Sequence, residues 1–362
     1  MESYLKSGVN IDEADSFVSE LSKHAAKTFN NNVINGLGGF AGLFRLPQGL
    51  SNPVLVACTD GVGSKLKLAY ENKKLENIGQ DLVAMCLNDL LCSGAKPLFF
   101  LDYLATAKLD KEEALAIAKS IVKACQENDT VLLGGETAEL PGMLPPKGYE
   151  LAGFSVGIVE EEKILQANNC SEGDILLALP SSGLHSNGYS LVRSIIENNS
   201  LDLASNHGIF KSSLLYEVLL PTKIYTKAVN GILDKVNAIA HITGGGLYEN
   251  LPRVFPKSLK AFINKDSWQV PAIFTFLQKH GNVDEQEMFR VFNMGIGLVL
   301  FVSKSNKDIV TTHLKSLNED YYELGYLEKS PPNRNEQQLP PLGALDRGSS
   351  IGGGGSSSVE IR

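Results

Sequence analysis

The chain is short of cysteine, of long apolar runs and of positive charge, and each shortage excludes a class of protein. Its 362 residues include five cysteines, an odd number without a C-x-x-C pair, so neither a disulfide framework nor a zinc site is expected. No run approaches the roughly 18 apolar residues of a membrane span, and the N-terminus shows no secretory pattern. The net charge of −8 excludes a generally basic, nucleic-acid-binding surface. We therefore predict a soluble, cytoplasmic protein without a membrane or nucleic-acid partner.

Two common nucleotide-binding signatures are also missing or weak. No G-x-x-x-x-G-K-[ST] segment is present, which excludes a P-loop. Gly36, Gly38 and Ala41 fit G-x-G-x-x-G/A in form, but no strand precedes them, so a Rossmann dinucleotide site is only a weak alternative. Glycine itself is plentiful, with 34 residues. The glycine-rich segment 36–49 predicts a mobile loop that closes over a ligand.

Apolar runs of strand length alternate with segments of helical period, which predicts an α/β protein of two domains. We place the N-terminal domain at 1–165 and the C-terminal domain at 166–330, because a charged run interrupts the pattern between them. The Pro/Gly/Ser-rich segment 331–362 predicts a flexible tail, or a tail that is partly an ordered last strand. The predicted strands are 54–58, 98–101, 131–133, 151–159, 175–179, 238–240 and 297–302.

Acidic residues and glycines recur where predicted strands end, a pattern typical of sites that hold phosphate and a divalent cation. Asp60 follows the first long strand and precedes two glycines and Lys65, a combination suited to a metal-bound polyphosphate. The alternative is a tight Asp-Gly turn with a surface lysine. Glu136, within 134–141, again follows a strand directly and offers another oxygen ligand for Mg²⁺, unless the segment is simply a polar loop.

A helix predicted over about 79–91 carries Asp81, Asn88 and Asp89 on one face. At 1.5 Å per residue, Asp81 and Asp89 lie about 12 Å apart, which is too far for one ion but compatible with the two ends of a nucleoside triphosphate. Asp81 could equally be a first-turn carboxylate that the helix dipole favours. That explanation fails for Asn88 and Asp89, which lie deep in the helix.

The second half of the chain offers comparable polar loops. His185 and Asn187 lie between a strand and a helix whose N-terminus could bind an anion, although a lone loop histidine is more often structural. Thr243 precedes three glycines, which permit close backbone contact with a phosphate or form a plain turn. Asn293 either takes part in a ligand site or caps the preceding helix. Together the two halves predict an enzyme of nucleotide and phosphate chemistry without a P-loop.

Seven segments of the chain closely resemble, in the same order, the motifs of the phosphoribosylformylglycinamidine cyclo-ligase family, also called aminoimidazole ribonucleotide (AIR) synthetases. The resemblance extends over about 4–327, and the Gly/Ser-rich end after Ser330 matches no motif. The segments are 60–65, 81–89, 96–103, 134–141, 183–188, 241–246 and 292–297.

The resemblance implies an α/β fold of the AIR-synthetase type, in which the N-terminal domains of a homodimer share a β-barrel and a C-terminal α/β domain packs against them. It implies that ATP and Mg²⁺ are used to cyclise formylglycinamidine ribonucleotide, a small-molecule substrate, to AIR in purine synthesis, with release of ADP and phosphate. ATP would activate the formyl amide oxygen, because that oxygen is a very poor leaving group.

The resemblance also implies roles for particular residues. Asp60, Lys65 and His185 would be catalytic, with Lys65 neutralising charge on the transferred phosphoryl group and His185 accepting a proton. The metal ligands would be Asp60, Asp89 and Glu136. The nucleotide would be held by Lys27, Gly38, Gly39, Asp81, Asn88, Asp89 and Glu136, and the substrate by Asn187, Thr243, Gly244, Gly245, Gly246 and Asn293.

Two alternatives remain open from the sequence. Related ATP-dependent phosphotransferases share the fold, among them thiamine-phosphate kinase, selenophosphate synthetase and a hydrogenase maturation factor. The last two are disfavoured because they need a cysteine or selenocysteine near one end of the chain, whereas Cys58 is the first cysteine and Cys170 the last. A catalytically inactive nucleotide-binding dimer could lose its acids, yet all the predicted acids are present.

Overall fold

The N-terminal part of the chain is built on a four-stranded sheet. The computed structural model of the protein describes residues 11–330 and 358–362. The strands of this sheet are β3 (Pro53–Gly61), β4 (Lys96–Thr106), β5 (Val131–Glu139) and β6 (Tyr149–Glu160), and a hairpin of β1 (Val33–Asn35) and β2 (Leu43–Phe44) precedes them. Their order is β3-β6-β4-β5, with β4 and β5 parallel and the other pairs antiparallel.

Helices cover one face of this sheet. They are α1 (Ile11–Ala25), α2 (Lys65–Glu71), α3 (Ile78–Cys92) and α4 (Lys111–Glu127). Asp110 caps α4 by accepting the amides of Glu112 and Glu113. Nearly every residue of α3 is buried, because α3 lies between the sheet and the second domain. The other face of the sheet carries partly exposed apolar side chains, including Leu55, Tyr103 and Phe154.

The C-terminal part contains a six-stranded sheet of order β12-β9-β11-β7-β10-β8. Its central strands β7 and β10 are almost continuously apolar and are buried on both faces. The strands are β7 (Ile175–Pro180), β8 (Ala238–His241), β9 (Leu259–Ile263), β10 (Ile296–Val302), β11 (Tyr322–Lys329) and β12 (Val359–Ile361). The helices are α5 (Tyr189–Asn198), α6 (Leu214–Val218), α7 (Thr226–Val229), α8 (Gly246–Asn250), α9 (Ala272–Gly281), α10 (Glu285–Val291) and α11 (Lys307–Ser316).

The end of the chain differs from the predicted flexible tail over 331–362. Val359–Ile361 form β12, which pairs in parallel with β9 at the edge of the sheet. Val359 is buried there in the apolar core. The last residues agree with the alternative of a partly ordered tail that ends in a strand, while 331–357 lie outside the described residues.

Within the described ranges, no helix is both long and apolar enough to cross a membrane.

Candidate active site

Two carboxylates and a histidine lie near one another where the first domain faces the second. Asp60 is at the end of β3, and its pKa is raised by burial and further by the charge of Asp89. Asp89 lies half-exposed on α3, and its Oδ1 accepts a hydrogen bond from Nδ1 of His241 at 2.9 Å. Nε2 of His241 accepts from the Asn88 amide at 3.4 Å, so these partners assign the imidazole proton to Nδ1.

Asp60 and Asp89 fit a magnesium ion. The negative charge of Asp89 raises the pKa of Asp60, and a divalent cation would offset that repulsion; Mg²⁺ is usually held by one or two carboxylates together with phosphate oxygens. His241 orients Asp89 for this role. Sequence reasoning assigned no role to His241, although its place two residues before Thr243 and the three glycines was the available signal.

Glu136 does not join this pair within one chain. It lies exposed on β5, three strand steps from β3 and therefore about 14 Å away across the sheet. Its Oε1 accepts the amide of Thr137 at 2.8 Å. In the part of the chain that the structure describes, no group of three His, Cys, Asp or Glu residues could hold a metal ion. The predicted ligand set of Asp60, Asp89 and Glu136 is thus not assembled by a single chain.

The polar side chains Asp81 and Asn88 on one face of α3 face the second domain instead of an open nucleotide site. Asn88 is fully buried, and its side chain donates to the carbonyl of Lys223 at 2.9 Å and accepts the amide of Tyr225 at 3.0 Å. Asp81 is also fully buried, and its Oδ1 accepts the amide of Thr222 at 2.7 Å. In this structure both side chains are hydrogen-bonded to the second domain, and their contact with the nucleotide stays a prediction.

Lys65 is equally sequestered at the start of α2. Burial lowers its pKa, and the neighbouring carboxylate of Asp81 opposes that change. Its ammonium group donates to Asp81 Oδ1 at 2.8 Å, to the His185 carbonyl at 3.1 Å and to the Leu220 carbonyl at 2.7 Å. An ammonium has three donors, and all three are used. In this structure Lys65 is bonded wholly within the protein, and its contact with the transferred phosphoryl group stays a prediction.

His185 is buried under the loop that carries it. Its backbone is left-handed, with φ of +59°, and its Nε2 accepts the amides of Ser182 at 3.2 Å and Lys223 at 3.5 Å. Burial lowers the pKa of His185 well below its ordinary value, so the ring stays neutral. Its basic nitrogen is already occupied and inaccessible. The role of His185 as a proton acceptor at the substrate stays a prediction, and in this structure its Nε2 is bonded within the protein.

Asn187 and the triple glycine, by contrast, lie together. The Asn187 side-chain oxygen would be 3.6 Å from a Cβ on Gly244, and its Nδ2 has no hydrogen-bond partner among the described residues. Gly245 and Gly246 have φ of +93° and +56°, and a Cβ on Gly246 would lie 2.0 Å from the carbonyl oxygen of Phe289. These positions therefore require glycine.

Asn250 organises this glycine loop and was missed from the sequence. Its Nδ2 donates to the carbonyls of Gly244 at 3.1 Å and Gly246 at 2.8 Å, and its Oδ1 accepts from Thr243 Oγ1 at 3.3 Å. Gly244 and Gly245 line a cavity of about 1160 Å³ beside Arg290. Thr243 is thus a scaffold residue, and Gly244 and Gly245 present backbone to the cavity.

Asn293 is part of the scaffold beneath the loop 181–188. It is buried, accepts from Ser181 Oγ at 3.1 Å and from the Gly295 amide at 2.8 Å, and donates to the Gly183 carbonyl at 3.0 Å. These bonds use its amide within the protein, and the contact of Asn293 with substrate stays a prediction.

A second large cavity, of about 1000 Å³, lies between the β1–β2 connection and β5. Gly38, Gly39 and Glu136 line it, so three of the residues predicted for the nucleotide share this cavity. Lys27 is exposed on the turn Ala26–Thr28, which is tied to β5 by a hydrogen bond from the Leu132 amide to Thr28 Oγ1 at 2.9 Å.

Asp102 at the floor of this cavity was also missed. Burial raises its pKa to about 7. A Cβ on Gly135 would lie 2.2 Å from Asp102 Oδ1, so glycine at 135 leaves room for the carboxyl group. The signal in the sequence was an acid within an otherwise apolar strand.

Comparison with known proteins agrees with this architecture. Residues 40–159 match the family described as AIR synthase related protein, N-terminal domain, and residues 171–334 match AIR synthase related protein, C-terminal domain. The fold and its loops thus define a two-domain protein of the AIR synthase type.

Curated relatives narrow this class further. A phosphoribosylformylglycinamidine cyclo-ligase of Prochlorococcus marinus (strain MIT 9301) is 44% identical over 94% of this chain and 99% of its own length. One of Burkholderia lata is 47% identical over 89% of this chain and 92% of its own length. The chain belongs to the phosphoribosylformylglycinamidine cyclo-ligase family. The predicted family, fold type and enzyme class, a cyclo-ligase, are confirmed.

Solved structures that share the fold are more distant in sequence. Thiamine-monophosphate kinase from Stenotrophomonas maltophilia K279a has a TM-score of 0.65 and 18% identity, covering 85% of this chain and 93% of its own. Hydrogenase maturation protein HypE in complex with ATP has a TM-score of 0.62 and 14% identity, covering 87% of this chain and 86% of its own. At these identities the likeness shows the fold alone.

Proposed function

We propose that the protein catalyses the ATP-dependent cyclisation of formylglycinamidine ribonucleotide to AIR, with release of ADP and phosphate, in purine synthesis in the cytoplasm. The observation that carries the proposal is the similarity to cyclo-ligases over nearly their whole length, including 99% of one relative. The acids Asp60 and Asp89 and the glycine loop 244–246 supply the two kinds of polar group that the reaction needs.

The nucleotide half of the reaction belongs to the N-terminal domain. Asp60 and Asp89 would hold Mg²⁺, which when bound neutralises charge on the phosphates of ATP. The cavity beside Gly38, Gly39 and Glu136 is large enough for a nucleotide and is mostly apolar, as base-binding cavities are. ATP as the nucleotide agrees with a structural neighbour solved in complex with ATP.

The substrate half belongs to the C-terminal domain. Gly244 and Gly245 can approach a phosphate closely because they have no side chains, and Asn187 has a free amide donor beside them. Transfer of the γ-phosphoryl group to the formyl oxygen forms a P–O bond as ADP leaves. Attack by the substrate amine then closes the ring and expels phosphate in place of a poor leaving group.

We also propose that the protein functions as a homodimer. The uncovered face of the N-terminal sheet carries Leu55 at 56% exposure and Phe154 and Tyr103 at 39% each. Apolar side chains gathered on one sheet face are typical of a surface that a second copy covers. Light scattering of Leu55→Asp should give a monomer and of the wild type a dimer. A monomeric wild type would contradict this assembly.

The activity is tested by measuring ADP release and aminoimidazole formation by the purified protein with ATP and Mg²⁺, with and without formylglycinamidine ribonucleotide. We expect equal amounts of ADP and AIR, both dependent on the ribonucleotide. ADP formation with thiamine phosphate as acceptor and no aminoimidazole would move the assignment to a phosphotransferase. Binding of ATP without turnover on either acceptor would indicate an inactive nucleotide-binding dimer.

A further inference from the structure

A fully buried ion pair joins the two domains. Lys65 on α2 and Asp81 on α3 both belong to the N-terminal domain, and neither side chain has any exposed surface. Both reach into the C-terminal domain. The Lys65 ammonium donates to the carbonyls of His185 and Leu220, and Asp81 Oδ1 accepts from Ser186 Oγ at 3.1 Å.

The same pair also holds a second segment of the C-terminal domain. Asp81 Oδ1 accepts both the amide of Thr222 at 2.7 Å and its hydroxyl at 2.6 Å. The Thr222 hydroxyl also lies 3.0 Å from Ser186 Oγ. The ion pair therefore binds two loops at once, one around 185–186 and one around 220–222, and joins them to each other.

The elements that carry the pair also carry the predicted magnesium ligands. Asp60 and Lys65 are the two ends of the short segment 60–65, and Asp81 and Asp89 lie about 12 Å apart on α3. Each proposed magnesium ligand therefore lies on the same short segment or the same helix as one member of the pair. On the other side, the loop held by the pair continues from Ser186 into Asn187, beside Gly244.

We propose that Lys65 and Asp81 are positioning residues. They fix the loop 183–188, which carries Asn187 of the proposed substrate site, at a set distance and angle from Asp60 and Asp89. This inference rests on the proposed function only for the identity of the substrate. Both side chains of the pair are fully buried, so in this role they act through the loops that they hold. It sets the geometry in which the γ-phosphoryl group held by one domain meets the ribonucleotide held by the other.

The energetics of the pair agree with a geometric role. Burying two charges is costly, and replacement by apolar residues is often neutral or stabilising in other proteins. Asp81 Oδ2 has no hydrogen-bond partner in the described part of the chain, so the burial is not fully compensated. A pair of this kind contributes orientation more than stability, because its bonds fix both loops through directed contacts.

Steady-state kinetics test the proposal with variants that remove single contacts. Thr222→Val removes one hydroxyl bond to Asp81 at nearly constant volume, and Lys65→Met removes the ammonium. We expect KM for the ribonucleotide to rise about tenfold in Thr222→Val, the effect of one hydrogen bond to a charged group, and further in Lys65→Met, with KM for ATP within twofold of the wild type. Lys67→Met is the matched control, because Lys67 lies on the same helix with a half-exposed side chain, and it should change neither constant.

Hydrogen exchange provides a readout that does not depend on turnover. The Thr222 amide donates to Asp81, so its exchange should accelerate at least tenfold in Lys65→Met and stay unchanged in Lys67→Met. A rise in KM for ATP instead of the ribonucleotide, or unchanged protection of Thr222 in Lys65→Met, would overturn the inference. If Thr222 loses its protection in Lys65→Met while the wild-type protein forms no aminoimidazole, the positioning role is supported and the proposed function is refuted.

Discussion

Gly297 is the position where we expect one added methyl group to destabilise the fold most. It lies at an irregularity in the pairing of β10 with β7, and a Cβ there would be 1.9 Å from Tyr225 Oη and 2.7 Å from His185 Cε1. Tyr225 and His185 are both fully buried, and Tyr225 donates its hydroxyl to the Pro180 carbonyl at 2.9 Å. Neither ring has space to move, since β10 is paired with a strand on each side.

Gly297→Ala should therefore lower the free energy of unfolding substantially. Overpacking of a buried site costs about 1–3 kcal/mol, and displacement of the Tyr225 hydroxyl from its acceptor adds about 1 kcal/mol or more. At about 2–4 °C per kcal/mol for a domain of this size, the melting temperature should fall by roughly 5–12 °C.

Thermal unfolding followed by circular dichroism and by Trp268 fluorescence measures this effect. Trp268 is buried in the C-terminal domain and donates to the Met294 carbonyl, so it reports on the domain that contains Gly297. Gly244→Ala is the control, because the nearest atom to a Cβ there is 3.6 Å away, an ordinary contact. A melting temperature of Gly297→Ala within 2 °C of the wild type would refute the steric reasoning.

Three further predictions concern other parts of the molecule. Asp89→Asn removes one of the two carboxylates proposed for magnesium, so the Mg²⁺ concentration for half-maximal ADP release should rise at least tenfold; an unchanged Mg²⁺ dependence would exclude Asp89 as a ligand. Asp102 has a pKa raised to about 7 by burial, above the unfolded value of about 3.9, so it costs stability increasingly as pH rises from about 4 to 7. Asp102→Asn should abolish that part of the pH dependence in thermal melts, and parallel profiles of variant and wild type would contradict it. Val359→Asp places a charge at a buried position of β12 and should lower the C-terminal domain's melting temperature by several degrees, whereas an unchanged melt would show that β12 contributes little.

The sequence was a good guide to the strands and a poor one to the use of polar side chains. The apolar runs at 54–58, 131–133 and 175–179 all lie within strands of the structure, and the last two are continuously buried, which demands apolar residues. β12 was predicted only as one of two alternatives for the tail, because three residues after a Gly/Ser-rich stretch carry almost no hydrophobic pattern.

The hydrogen-bond partners of the buried polar residues could not be predicted from the sequence, for one physical reason. A polar side chain on a buried helix face satisfies its hydrogen bonds equally well with a ligand or with the backbone of a second domain, and sequence spacing is the same in both cases. Asp81 and Asn88 bind the backbone of 222–225, and Lys65 binds carbonyls from two loops. Asn250 and His241 were missed for the converse reason, because their partners lie in the glycine loop and on α3, and those contacts appear only in three dimensions.

The contacts between α3 and the segment 220–225 also bear on how such a protein can be divided. If the chain were cut between the two sheets, the N-terminal fragment would expose Asp81 and Asn88 without the amide donors of Thr222 and Tyr225. The C-terminal fragment would lose the acceptors of its Thr222 and Tyr225 amides. Each fragment thus complements the polar groups of the other. A domain exchange with a homologue must therefore transfer α3 and 220–225 together. The two halves therefore form a matched set, although each has its own sheet.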